Sequence, residues 1–238
     1  MNSIGAVMAS EINETPQVFS RLGSNLDQFT AVKNLLADKK ISAVQILARG
    51  TSDNAAHFLK YLIEVKMGLP VGLTSPSAIS IYQSPMRYEG VLVIALSQSG
   101  QSPDLVGFAQ AALLANATVI SMTNDSDSPL AKISDFHFPL LAGPELAVAA
   151  TKSYSSELLV SYLLVSTWSS SSFDINEIVE QSQMLVDNSH LVGEAVASCD
   201  RSSGIVFMGR GFAYPNAREA ALKVQETAKI SVQGFSTA

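Results

Sequence analysis

A three-layer α/β/α sandwich on a mainly parallel sheet is the fold class this sequence predicts, and three observations carry it. Apolar runs at residues 44–48 (VQILA), 91–96 (VLVIAL) and 118–122 (TVISM) lack strict polar alternation, as strands covered on both faces do. The runs alternate with helix-period segments, the pattern of strands joined by crossover helices. Finally, QILARGTSDNAAHFLKYLIE and VFMGRGFAYPNAREAALKVQE each contain a strand, an Arg-Gly turn and an amphipathic helix, so they read as equivalent starts of two related halves.

In chain order, Val18, Phe19, Leu22, Leu26, Phe29, Val32 and Leu35 recur at helical spacing after Pro16, which predicts a leading helical segment over residues 1–40. The first α/β domain follows over 41–170. Its first strand is punctuated by Arg49-Gly50, with Ser52 as cap of a helix carrying Ala56, Leu59, Ile63 and Met67. The run at 91–96 gives way to Ser97-Gln98-Ser99-Gly100-Gln101-Ser102, and Ser102 is the expected N-cap of a helix whose first residue is Pro103. Strands at 118–122 and 136–140 come next, then a long helix from about 146 to 168. Serines 169–172 form the joint to a second, incomplete domain over 171–238. There, residues 175–196 read as helical, 205–208 as a strand, and Pro215 opens a helix through Lys229. That strand has no visible sheet partner, so the expectation is a fragment, or an edge shielded by dimerisation.

Composition excludes several function classes. A net charge of −6 with only 15 Lys+Arg lacks the basic field that nucleic acids or anionic membranes require. A lone Cys199 and three scattered histidines, His57, His137 and His190, offer neither an internal disulfide nor metal-ligand spacing. The N-terminal MNSIGAVMAS has no basic lead, and no apolar stretch is long enough to span a membrane. The expectation is a cytoplasmic protein without metal or organic cofactor.

Five polar residues and a glycine at the mouth of a buried strand exceed what a turn needs. In an open α/β sheet, ligands bind outside the carboxyl ends of the strands, where helix N-termini supply free N–H groups and the positive end of a dipole. Thr51, Ser52 and the 97–102 block therefore read as a phosphate cradle built from hydroxyls rather than lysines, although each serine alone is also accounted for as a helix cap. Neither loop is a GxxxxGK[ST] or GxGxxG motif, which leaves a simple phosphate ester rather than a nucleotide. Glu219, Lys223 and Glu226 share one helix face; such a set serves as a general acid/base or as a solvated salt-bridge ladder.

With ARGTS at 48–52, LSQSGQS at 96–102, VAATKS at 148–153 and GRG with EAALKVQE at 209–226, the chain resembles the sugar isomerase (SIS) family from about Ile41 onward. Within it, the resemblance is to the isomerase half of glutamine–fructose-6-phosphate aminotransferases and to stand-alone glucosamine-6-phosphate deaminases. The resemblance implies that Thr51, Ser52, Ser97, Gln98, Ser99 and Ser102 hold a sugar phosphate and that Val148 lines the sugar. It also implies that Glu226 moves a proton between the first and second sugar carbons with Lys223 beside it, in a homodimer. The glutamine-hydrolysing domain and its nucleophilic cysteine have no counterpart in these 238 residues, and the family's ring-opening histidine and C-terminal lysine would fall past Ala238. The expected activity is an isomerising deaminase acting on glucosamine-6-phosphate to yield fructose-6-phosphate and ammonia. The alternatives are a sugar-phosphate-binding regulatory module or a deglycase of a phosphosugar–amino acid adduct.

Overall fold

A computed structural model describes residues 5–197 and 204–237; Cys199 lies outside them. Three helices open the chain: α1 (Ala6–Asn13), α2 (Thr15–Gly23) and α3 (Asp27–Ala37). The helical-period residues Val18, Leu22, Phe29 and Val32 are buried, and the Phe29 ring stacks on Phe138 with centroids 4.9 Å apart. The α/β body then runs β1 (Ala43–Leu47), α4 (Thr51–Met67), β2 (Val71–Leu73), the one-turn α5 (Ser77–Ser80), β3 (Val91–Ser97) and α6 (Pro103–Leu114). It continues with β4 (Thr118–Thr123), α7 (Pro129–Ile133), β5 (Phe136–Pro139) and α8 (Lys152–Trp168).

The five strands pair in parallel in the order β2-β1-β3-β4-β5. Side chains alternate across each strand, and both faces find apolar cover. Leu92, Ile94 and Leu96 of β3 join Val44, Ile46, Ile120 and Met122 in one core with residues of α4 and α8. Val93 and Ala95 join Leu47 and Val119 in a second core with residues of α6. This is the expected three-layer sandwich. Strand order reverses between β1 and β3, so α4 and α6 leave adjacent strands toward opposite faces and open a crevice between their N-termini.

Beyond α8 lie α9 (Ile175–Asp187), α10 (His190–Ala197), β6 (Ile205–Gly209), α11 (Ala213–Ala228) and β7 (Val232–Ser236). Helix α9 packs on α2 and α11 packs on α4. The expectation that the 205–208 strand lacks a sheet partner is corrected: β7 pairs with β6 in parallel along its whole length. β7 escapes the sequence pattern because SVQGFS interrupts its apolar residues with Gln233 and Gly234, whose missing Cβ lets the strand approach the α11 backbone at Ala217 and Arg218. β2 is likewise too short to show a period.

Four helix expectations are also corrected. The helix expected from about residue 146 begins at Lys152, because the Glu145 carboxylate accepts from the amides of Thr151 (2.9 Å) and Ser153 (3.1 Å) and holds the preceding residues as a loop. The helix expected over 175–196 is divided at Asn188, whose side-chain amide donates to the Met184 carbonyl. The last helix begins at Ala213, before Pro215, and Lys229 adopts the left-handed conformation that ends it. Ser52 is not a cap: α4 starts at Thr51 with Gly50 as N-cap at φ 59°, a conformation suited to glycine.

Candidate active site

The crevice between β1 and β3 is a cavity of about 210 Å³. Thr51, Ser52, Ser97, Gln98, Ser99 and Ser102 all line it, so the structure brings together the six residues that the family resemblance assigned to the phosphate, whereas Gly100 and Gln101 of the same block do not line it. Ser102 is the N-cap of α6 as expected, with Pro103 in the first turn, but its side chain makes no capping bond. The N-termini of α4 and α6 both meet this cavity, and their free N–H groups suit an anion.

The loop after β3 is internally braced. Ser97 Oγ accepts from the Gly100 amide (3.1 Å) and Ser99 Oγ from the Gln101 amide (3.3 Å). Gly100 sits at φ 62° against Ser128, where a Cβ would lie 2.3 Å from the Ser128 oxygen, so no other residue fits there without displacing that side chain. Behind the loop, Thr123 Oγ1 donates to the Asp125 carbonyl (2.7 Å) and lies 2.9 Å from His137 Nε2. Arg49 pairs with Asp104 across the mouth of the cavity.

A second cluster adjoins the cradle. Lys223 Nζ lies 2.7 Å from Glu226 Oε2, 3.2 Å from Glu219 Oε1 and 3.0 Å from Thr51 Oγ1, so its three protons all have acceptors. Thr51 Oγ1 donates in turn to Glu219 Oε1 (3.1 Å), and Asn54 Nδ2 donates to Glu219 Oε2 (2.7 Å). Thr51 thus belongs to both sets, lining the cavity and touching the lysine between the two carboxylates. Glu219 and Asn54 are buried while Glu226 stays partly open, which separates a structural carboxylate from an accessible one.

Val148 is placed differently. It is 99% exposed on the loop before α8 and lies outside the residues lining the cavity, whereas Ala150, two positions on, lines it. That loop is held from two sides. Glu11 of α1 accepts from the amides of Leu146 and Ala147, and buried Lys152 pairs with Glu14 at 2.6 Å. Glu145 accepts from Gln98 Nε2 at 3.0 Å, tying the loop to the cradle.

Sequence reasoning missed Glu145, Asn54 and Glu157. Glu157, 1% exposed, lies 2.7 Å through Oε1 from Ser52 Oγ, and burial, opposed by the Ser52 hydrogen bond and reinforced by Glu219 and Glu145, pushes its carboxyl up to about 8. The available signal was a single acid in KSYSSELLVSYLL, a helix otherwise apolar or hydroxylic. None of the three histidines lines the cavity: burial lowers the pKa of His57, beside Tyr214, and of His137, against Thr123, while His190 is exposed. Among the described residues no His/Cys/Asp/Glu group could hold a metal, and no helix is long and apolar enough to cross a membrane.

A family model described as "SIS domain" matches residues 35–167, more than half of the chain. A glutamine–fructose-6-phosphate aminotransferase of Methanosarcina mazei is 31% identical over 210 residues, covering 83% of this chain and 34% of the relative, so the chain spans about a third of that protein's length. Among solved structures, one from Silicibacter pomeroyi DSS-3, provisionally named a phosphosugar isomerase, is 31% identical with a TM-score of 0.87, covering 97% of this chain and 71% of its own. The C-terminal domain of glucosamine-fructose-6-phosphate aminotransferase from Francisella tularensis is 27% identical with a TM-score of 0.78, covering 97% and 69%.

Proposed function

Because the chain belongs to the SIS domain family, we propose that it is a phosphosugar aldose–ketose isomerase whose reaction ends in deamination, converting glucosamine-6-phosphate and water to fructose-6-phosphate and ammonia. The observation that carries this reading is the shared Thr51: it lines the hydroxyl-rich cavity, and its hydroxyl touches the lysine of the Glu219–Lys223–Glu226 face. An anion seated in the cavity puts the rest of a small sugar beside that face.

In this reading the phosphate lies at the N-termini of α4 and α6, where serine hydroxyls and backbone N–H groups supply donors without a lysine's charge. Glu226, the accessible carboxylate, removes the proton from C2 of the open-chain amino sugar, and the electron pair moves toward C1 through an enamine. The C1 carbonyl oxygen takes up a proton as the enamine forms; return of the C2 proton to C1, with loss of an N–H proton, leaves an imine at C2, which water hydrolyses to the ketose with loss of ammonia. Lys223 holds Glu226 in place through a 2.7 Å ion pair. Glu219, buried and saturated by Thr51, Asn54 and Lys223, fixes the lysine. The reading includes a cytoplasmic homodimer and needs no metal or organic cofactor.

The test is a coupled assay of fructose-6-phosphate and ammonia from glucosamine-6-phosphate. Equal release of both products is the expected result. Tight binding without turnover would favour the regulatory module, and release of an amino acid from a phosphosugar adduct, with no ammonia, would favour the deglycase.

A further inference from the structure

A serine hydroxyl has one proton, and the Ser52 proton has two claimants. Ser52 lines the cavity, and its Oγ lies 2.7 Å from Glu157 Oε1. If Glu157 is ionised, Ser52 must donate to it and can present only lone pairs to a phosphate, which repel it. If Glu157 carries the proton, it donates to Ser52 Oγ and frees the serine proton for the ligand.

The surroundings of Glu157 favour the second arrangement. Its Oε2 is buried with no hydrogen-bond partner, a heavy cost for a charged oxygen and a smaller one for the carbonyl oxygen of a neutral acid. The titratable groups acting on it are Glu219 of α11 and Glu145 of the loop before α8, both acidic; from α4 the group in contact is Ser52 itself. Lys223 spends its protons on Thr51, Glu219 and Glu226, and Lys152 of the same helix pairs with Glu14. Of α2 and α3, which also pack on α8, Arg21 turns to the Leu141 carbonyl and Lys33 to Ser170. Tyr154, on α8 itself, gives its hydroxyl proton to Asn216.

We infer that Glu157 is a positioning residue of the cradle: as a buried proton donor to Ser52 Oγ, it turns the Ser52 hydroxyl proton outward to the phosphate of the ligand. The inference rests on the phosphate assignment proposed above for this cavity. It makes affinity for a phosphorylated sugar pH-dependent in a definite direction. Loss of the Glu157 proton as pH rises through about 8 turns the Ser52 proton back inward and leaves a buried negative charge behind the cradle, so binding weakens. The phosphate is already mostly doubly ionised at the lower end of this range, its second pKa being about 6, and gains rather than loses charge as pH rises.

The experiment is isothermal titration of fructose-6-phosphate, with fructose as the unphosphorylated control, at about pH 7 and about pH 9, on either side of the Glu157 midpoint. The unaltered protein should lose roughly tenfold or more of its fructose-6-phosphate affinity between the two, the usual scale for a hydrogen bond to a charged group. Glu157→Gln, whose amide donates at every pH, should bind like the unaltered protein at the lower pH and stay flat. Ser52→Ala should bind more weakly at both and show a smaller pH dependence, since only the Glu157 charge then remains to act. Weak binding by Glu157→Gln at the lower pH overturns the inference, as does an undiminished pH dependence in either variant. A Ser97→Ala/Ser99→Ala variant separates the two layers. If it binds fructose-6-phosphate normally, the phosphate assignment fails and this inference with it; if it binds poorly while the Glu157→Gln profile matches the unaltered protein, only the role of Glu157 is lost.

Discussion

β1 and β6 are each followed by an Arg-Gly turn and a long helix, yet they occupy opposite kinds of surroundings. β1 lies between two strands and under helices on both faces, with Ile46 1% exposed. β6 has one neighbouring strand, and Val206 and Met208 are 55% and 70% exposed beside an apolar hollow formed with α10 and α11. The two units contribute differently to the site. The buried one provides Thr51 and Ser52, its share of the cavity lining; the open one provides the Lys223–Glu226 face. On the proposed reading, a positioned anion needs a rigid frame and a proton-moving carboxylate needs access, which is the division the packing of the two units offers.

The largest effect that would sharpen this contrast is catalytic. Glu226→Gln keeps size and polarity but removes the transferable proton, so turnover of glucosamine-6-phosphate should fall ~100- to 10,000-fold while substrate affinity changes little, as steady-state kinetics and calorimetry together would show. Near-normal turnover would return the α11 face to an ion-pair ladder. Next comes packing. Ile94→Ala, in the centre of β3 with no exposed surface, should cost about 2–5 kcal/mol of stability in urea unfolding, whereas Met208→Ala on β6 should stay within about 0.5 kcal/mol. Similar losses for both would erase the distinction between covered and open strands.

A smaller effect separates the regions by pH. The Glu157 carboxyl is raised in the folded protein, to about 8 from an ordinary value of 4.5, so between these limits the folded state binds more protons than the unfolded one. The stabilising contribution is therefore complete below pH 4.5 and is lost as pH rises to about 8. Thermal unfolding across that window should show Tm falling with pH more steeply in the unaltered protein than in Glu157→Gln. Parallel slopes would mean that the buried acid does not titrate as its surroundings dictate.

What the sequence revealed follows the same division. Strands covered on both faces announce themselves as unbroken apolar runs, so β1, β3 and β4 were legible almost to the residue, and with them the loops that carry Thr51, Ser52 and Ser97 to Ser102. β2 and β7 were not legible, because three residues show no period and Gly234 interrupts one. The start of α8 is hidden in the sequence because the acid that holds the preceding loop, Glu145, lies six residues before the first amide it accepts from. Glu157 stays inconspicuous because its significance lies in Ser52, 105 residues away, and only the folded chain brings the two together.

The central claim, that the β1–β3 crevice holds a phosphate through hydroxyls and helix N-termini, is tested most directly by titrating the Ser97→Ala/Ser99→Ala protein with glucosamine-6-phosphate and with glucosamine. The account predicts a loss of affinity for the phosphorylated sugar much larger than that for the free sugar, since both serines line the cavity. Equal losses for the two ligands would contradict it.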